Sequence, residues 1–358
     1  MRYYTKPIGH LLLATAVVTG ALLPVSSTWA SSSVQVAQNQ QVKLFWDGQE
    51  LKDKGLLIQG KTMIPVSALR DDLKLGVSYD AESMTYTING GQNKVSIYDG
   101  SAEELFVNVN QVYTKGMEGT KKNGKLYIPI GVVKNYLGVQ AAWDGASKQV
   151  RMSAGQNQLL KWSTEPVLQK EESTVEYDIH TLKLEGDYPG IAKINEFLKQ
   201  RAEELATASK ESVETGGPTA DRPYQFENNY LVTDLQDGVV SLVVDEYGYL
   251  GGAHGMTTRK GYTFSLKDGQ LLKLEDVLGA NPNYLKALND KLTPQVTNHG
   301  GYLGDFKGIV KDQDFYLSPA GVVIFFQQYE YTAYAAGIPE FIFPYSSLLP
   351  QGKAPFSR

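Results

Sequence analysis

The sequence predicts an α+β protein in two parts, an N-terminal two-repeat α+β stalk domain followed by a C-terminal antiparallel sheet with one or two packed helices. Three observations carry that prediction. A segment recurs in the N-terminal half, Thr62-Met63-Ile64-Pro65-Val66 against Leu126-Tyr127-Ile128-Pro129-Ile130. Beyond residue 170 the apolar residues fall mostly in long alternating runs, with helical spacing in only two places. With 358 residues, 42% hydrophobic and 20% charged, the chain can fill more than one core and is too apolar to stay disordered.

Taken in order, residues 1–30 read as a leader to be set aside. Arg2 and Lys6 form a basic start, Leu11 to Leu23 an apolar stretch, and Thr28-Trp29-Ala30 a small-residue cleavage site. Gly20 and Pro24 interrupt the apolar run, which is shorter than the roughly 20 residues a spanning helix needs. A signal peptide cleaved after Ala30 is expected, leaving a secreted or cell-wall-associated chain with no transmembrane segment.

Residues 31–155 hold the repeat. In each copy the Ile-Pro strand is followed by a short helical segment, Ser67 to Leu73 or Gly131 to Tyr136, and then by Leu75-Gly76-Val77 or Leu137-Gly138-Val139. Each copy closes on an aromatic-Asp pair, Tyr79-Asp80 or Trp143-Asp144, and a further strand. One such unit is too small to bury a core, so the two are expected to pack as one domain. Residues 156–169 lose periodicity around Pro166 and read as a linker. Residues 170–350 form the second part. Strands are expected at Val175 to Leu184, Tyr224 to Leu235, Val239 to Tyr247, Met256 to Leu266, Phe315 to Leu317 and Val322 to Gln328. Helices are expected over Ile191 to Leu205 and Pro282 to Leu292.

Charge separates the halves. Residues 31–155 carry 14 basic and 12 acidic side chains, whereas 156–358 carry 18 and 27, a net −9. An acidic second half repels nucleic acid and anionic polymers and suits a neutral ligand or a basic partner. There is no cysteine and there are four histidines, so no metal site and no cofactor is expected.

The one compact histidine motif is Gly251-Gly252-Ala253-His254-Gly255, between two predicted strands. Its glycines permit positive φ and close backbone approach, presenting His254 on a tight connection. His254 either satisfies its own loop or contacts a ligand; it could act as a general base if Asp245 or Glu246 oriented it. The second constellation is Tyr329-Glu330-Tyr331-Thr332-Ala333-Tyr334-Ala335-Ala336-Gly337, directly after an apolar strand. Rings with polar tips beside small residues suit a recognition surface, and they also suit packing under a loop. His254, Tyr329, Tyr331 and Tyr334 are therefore the candidate ligand- or partner-binding residues, with Gly251, Gly252, Gly255 and Gly337 forming their loops. Both loops are expected at one end of the sheet. Glu330 has no second acid at glycosidase spacing, and no phosphate loop, zinc helix or nucleophile elbow occurs. No catalytic residue is assigned.

The repeat, from about residue 40 to 153, resembles the copper amine oxidase N-terminal-like domain of secreted Gram-positive proteins. The name implies no copper here, since residues 31–155 contain no histidine or cysteine. The Gly-Gly-Ala-His loop, the Tyr-Glu-Tyr…Tyr-Ala-Ala-Gly segment and the closing Phe341-Ile342-Phe343-Pro344-Tyr345, over about 170 to 349, resemble the DUF4163 and DUF3298 domains. These occur in tandem in anti-sigma-V-type lysozyme receptors and ahead of the catalytic domain of PdaC-type peptidoglycan deacetylases. A receptor needs a membrane helix and a cytoplasmic segment, and a deacetylase needs a metal-binding domain beyond Arg358, so neither activity is expected to carry over. What the resemblance implies is a non-catalytic binding protein of the cell envelope, its partner a wall glycan or a basic wall-degrading protein such as lysozyme. The alternative is a peptidoglycan-active hydrolase or a deacetylase accessory module.

Overall fold

A computed structural model describes residues 40–100, 104–155, 159–236, 238–350 and Gly352. The expected leader and its cleavage position lie outside the described residues. Among those described, no helix is long and apolar enough to cross a membrane.

The recurring Ile-Pro segments form strands Lys61–Pro65 and Lys125–Pro129, each leading at once into a short helix, α1 (Val66–Asp71) and α2 (Ile130–Tyr136). Proline suits this junction because its fixed φ and missing N–H cost nothing where a strand stops and a helix starts. The two strands pair antiparallel with Ile64 opposite Ile128, both fully buried. Equivalent residues of the two copies thus face each other across a local two-fold axis. Around it lie a nine-stranded and a five-stranded sheet. The core they enclose also takes in Leu231 and Val243 from the second half, so the halves are packed on shared apolar surface.

The second half is built on a sheet of five strands in chain order, Lys161–Glu171, Val175–Glu185, Tyr224–Gln236, Val239–Leu250 and Met256–Ser265. Two expectations are corrected. Most of the stretch read as a linker is an 11-residue strand, Lys161–Glu171, paired along Val175–Glu185. It is an edge strand with most residues exposed, so it lacks the alternation of a half-buried one, and the register shift between Pro166 and Leu168 accommodates the proline. The sheet is also not wholly antiparallel. Val175 to Asp178 run parallel to Tyr224 to Glu227, joined by the long crossover helix α3 (Ile191–Gly216). That helix lays Ile194, Leu198, Ala202 and Ala206 on the sheet.

A three-stranded sheet, Phe315–Ser318, Gly321–Phe325 and Glu340–Phe343, follows α4 (Leu274–Leu278) and α5 (Tyr284–Thr297). Leu288, Leu292 and Val296 of α5 recur at helical spacing and are buried in its core. A buried ionic group joins the two sheets of this half. Arg259 donates two hydrogen bonds of 2.6 Å to Asp245 and a third to Glu340, which also accepts the Tyr316 hydroxyl at 2.9 Å. Burial pushes the Glu340 carboxyl above the usual carboxylate range.

Candidate functional site: an aromatic stack between two loops

Strands Val239–Leu250 and Met256–Ser265 form a hairpin whose connection is the Gly-Gly-Ala-His-Gly motif. Gly251 takes φ +70°, the left-handed conformation that favours glycine. Gly255 lies against the Tyr247 ring: a Cβ there would stand 2.3 Å from it, so the ring would have to shift. Between them His254 is exposed, and its Nδ1–H donates to the Gly255 carbonyl at 2.9 Å. That bond leaves Nε2 as the acceptor.

The tyrosine loop is brought beside this turn by two glutamines. Gln327 accepts from the Arg259 N–H at 2.9 Å and donates to the Arg259 carbonyl at 2.8 Å, and Gln328 accepts from the Thr257 N–H at 2.8 Å. Side-chain amides thus bond the free backbone edge of the Met256–Ser265 strand, which pairs with no other strand on that side. Glu330 closes the turn by accepting the Gln327 N–H at 2.8 Å. Tyr329 adopts φ +65°, and Gly337, also at +65°, ends the short turn that begins at Tyr334.

The result is a stack of three rings. His254 and Tyr334 lie nearly parallel with centroids 3.9 Å apart, and Tyr329 stands 5.6 Å from Tyr334 and 6.3 Å from His254. Tyr334 donates to the Gly255 carbonyl at 3.0 Å, and Tyr329, 49% exposed, reaches the His254 Nε2 at 3.4 Å. The stack borders a groove of about 370 Å³ against α3, floored by Phe226 and Tyr247 and rimmed by Leu250 and Met256, 55% and 40% exposed. Glu246 also lines it, its carboxyl pushed up by burial.

His254, Tyr329 and Tyr334 therefore meet, and Gly251, Gly252, Gly255 and Gly337 shape their loops. Tyr331 does not join them. Its ring stands edge-on to Phe306 and Phe326, 5.0 Å from each, in the core under the loop. Neither carboxylate weighed as the orienter of a general base bonds the ring: Asp245 is bound to Arg259, Glu246 lines the groove, and the two His254 nitrogens meet a carbonyl and a phenol. Among the described residues no three His, Asp or Glu side chains converge as a metal site would require. Sequence reasoning passed over Gln327, Gln328 and the Arg259 group; their signal was an isolated charge or amide pair inside or beside apolar strands.

Two loops of the second half thus bring three aromatic rings together at the mouth of a groove, with His254 and Tyr329 exposed and Tyr334 half-buried. Three family models match the chain: the copper amine oxidase N-terminal domain over residues 45–152, deacetylase PdaC over 168–257, and DUF3298 over 275–346. A similar protein is the peptidoglycan-N-acetylmuramic acid deacetylase PdaC of Bacillus subtilis, 26% identical over 122 residues, which cover 33% of this chain and 26% of that enzyme. The chain thus matches about a quarter of its relative's length. Two solved DUF3298 structures are also similar. One, from Bacteroides fragilis, is 17% identical with a TM-score of 0.34, covering 52% of this chain and 90% of that one. The other, from Pseudomonas aeruginosa, is 20% identical with a TM-score of 0.39, covering 55% and 93%.

Proposed function

We propose that this is an exported, non-catalytic protein of the cell envelope whose second half holds wall glycan on the His254–Tyr334–Tyr329 stack. The stack is the observation that carries the reading. The faces of aromatic rings are electron-rich, and the axial C–H face of a pyranose is apolar and weakly positive, so a sugar ring lies flat on such a surface while its hydroxyls stay in water. The leader-like residues 1–30 and the match to a peptidoglycan-acting relative support the location. The repeat domain serves as the stalk. A neutral glycan fits the acidic second half without an electrostatic cost, whereas a basic protein such as lysozyme would bind through its field.

Retention of the purified chain on insoluble peptidoglycan tests this, with His254→Ala and Tyr334→Ala beside the wild type. Each substitution is expected to weaken retention by about 1–3 kcal/mol with the melting temperature nearly unchanged, as for exposed hot-spot rings. Binding should also persist as salt rises. Retention that collapses with salt, or capture of lysozyme in preference to glycan, would transfer the site to a basic protein partner. Release of acetate or sugar fragments would sink the non-catalytic reading.

A further inference from the structure

The repeat domain is slightly basic, with 14 basic and 12 acidic side chains over residues 31–155, and it precedes a strongly acidic second half. The aromatic stack gives that basic excess no role. A cleft of about 690 Å³ on the repeat domain does, and its volume lies in the range of about 300–1,000 Å³ usual for small-ligand sites.

The cleft is built from both copies of the repeat. Its apolar lining comes from Trp46, Leu73 and Leu75 and from Leu137 and Val139, so both Leu-Gly-Val motifs reach it. Short contacts hold the segments together. Asn93 donates to the Tyr136 carbonyl at 3.0 Å, and the Gly155 N–H donates to the Gly138 carbonyl at 2.8 Å. Gly138 takes φ +68°, and a Cβ on it would stand 3.1 Å from the Gly91 Cα, so the turn carrying Gly91 is seated against the end of α2.

Two lysines line this cleft, one from each half, and no Asp or Glu does. Lys134 is exposed in the last turn of α2, whose Val132, Val133 and Tyr136 are buried. Lys161 opens the edge strand, and Gln92 clasps the backbone on both sides of it, accepting the Trp162 N–H at 2.8 Å and donating to the Leu160 carbonyl at 3.1 Å. Other lysines of the repeat domain hold carboxylates: Lys61 bonds Glu118, Lys121 bonds Asp99 and Lys125 bonds Asp53. Among the described residues Lys134 and Lys161 hold none, and Glu185, opposite Lys161 in the strand pairing, turns to Lys183 instead. Asn135 and Gln140 add carboxamide donors to the same lining. In a chain of net charge −5 the cleft is a local reversal of sign, and it suits an anion.

Two cations on separate elements, with apolar surface in the same lining, match singly charged groups joined through carbon better than one compact dianion. A phosphodiester chain has that character, and lysine meets phosphate as a point charge. A nucleic acid would need exposed rings for its bases, whereas both rings here, Trp46 and Tyr136, pack into the core. We propose that this cleft binds a phosphodiester chain with short polyol linkers, Lys134 and Lys161 each answering one phosphate. The site is separate from the aromatic stack and does not rest on the glycan reading.

The test titrates the full chain with a soluble oligo(glycerol phosphate) by calorimetry at low and at physiological salt. The wild type should bind it, more weakly as salt rises. Lys134→Gln and Lys161→Gln should each weaken binding about tenfold, the loss of roughly one charged hydrogen bond. Lys52→Gln, which removes an exposed lysine outside the cleft, should leave binding unchanged. All three variants should melt with the wild type, and Tyr334→Ala should still bind the oligomer. The probe carries no sugar, so its outcome is independent of retention on peptidoglycan. A wild type that takes no oligomer overturns the cleft, and so do losses from Lys52→Gln equal to those from the cleft lysines. Inorganic phosphate binding as tightly as the oligomer would overturn the phosphodiester chain as ligand, and an oligothymidylate binding more tightly than the oligomer would overturn the polyol linker.

Discussion

The aromatic stack and the junction of the two halves treat their polar atoms in opposite ways. The stack stands on loops, exposes its rings and keeps its polar atoms satisfied within the protein. The junction stands on strands, and Trp162 Nε1 and His180 Nδ1 are buried there without a partner. A surface of the first kind reads the face of a sugar and tolerates variety in its substituents. The second arrangement is unfavourable by itself, because buried polar groups left unpaired are costly. Both places use a side-chain amide to bond strand backbone: Asn228 where the parallel ladder ends, and Gln327 on the free edge of the Met256–Ser265 strand.

The sharpest way to break this contrast is through the group that supports the stack from below. Arg259→Met leaves Asp245 and Glu340 buried without their counter-ion, and should cost about 3–5 kcal/mol of folding stability. Thermal unfolding would show the loss, while retention per folded molecule should be kept, because Gln327 clasps the backbone N–H and C=O of residue 259, which the substitution leaves in place. Retention lost together with stability would mean that the ionic group, and not the clasp alone, positions the tyrosines.

Tyr331→Ala separates packing from recognition. Removing a ring held between Phe306 and Phe326 should cost about 2–4 kcal/mol of stability, with glycan binding per folded molecule unchanged. The reverse pattern would restore Tyr331 to the recognition surface.

The smallest effect concerns Glu246 in the groove beside the stack. Burial raises its pKa, so the folded state holds this proton more tightly than the unfolded chain does. Stability contributed by such a group is greatest below the ordinary carboxylate range and declines as pH rises through the folded value. Glu246→Gln should therefore melt with the wild type near about pH 4 and slightly above it at neutral pH. A gain of the same size at both pH values would show that charge is not its cause.

Much of the fold was open to reading because the repeat writes the same instruction twice: Ile-Pro ends a strand and starts a helix in both copies. The loop glycines and rings were legible for a similar reason, since each cluster is contiguous in the chain. The edge strand Lys161–Glu171 was not, because exposure on most of its length removes the alternation by which strands are recognised. The parallel pairing escaped for want of any local signal: it depends on which way α3 returns. The lysine-lined cleft was illegible for the plainest reason. Its residues are scattered from Trp46 to Lys161, and only folding and the docking of the halves make them neighbours.

The pairing of Ile64 with Ile128 also bears on assembly and descent. A chain holding one copy of the repeat would leave the Lys61–Pro65 strand with an open edge, and the partner best shaped to close it is a second identical chain turned about the same axis. The repeat domain is in that sense a homodimer whose subunits have been joined end to end. The stretch between the two copies carries Gln92 and Gln111, and these bond Trp162 and Asn229 of the second half, so the repeat domain meets its neighbour through residues outside the repeat.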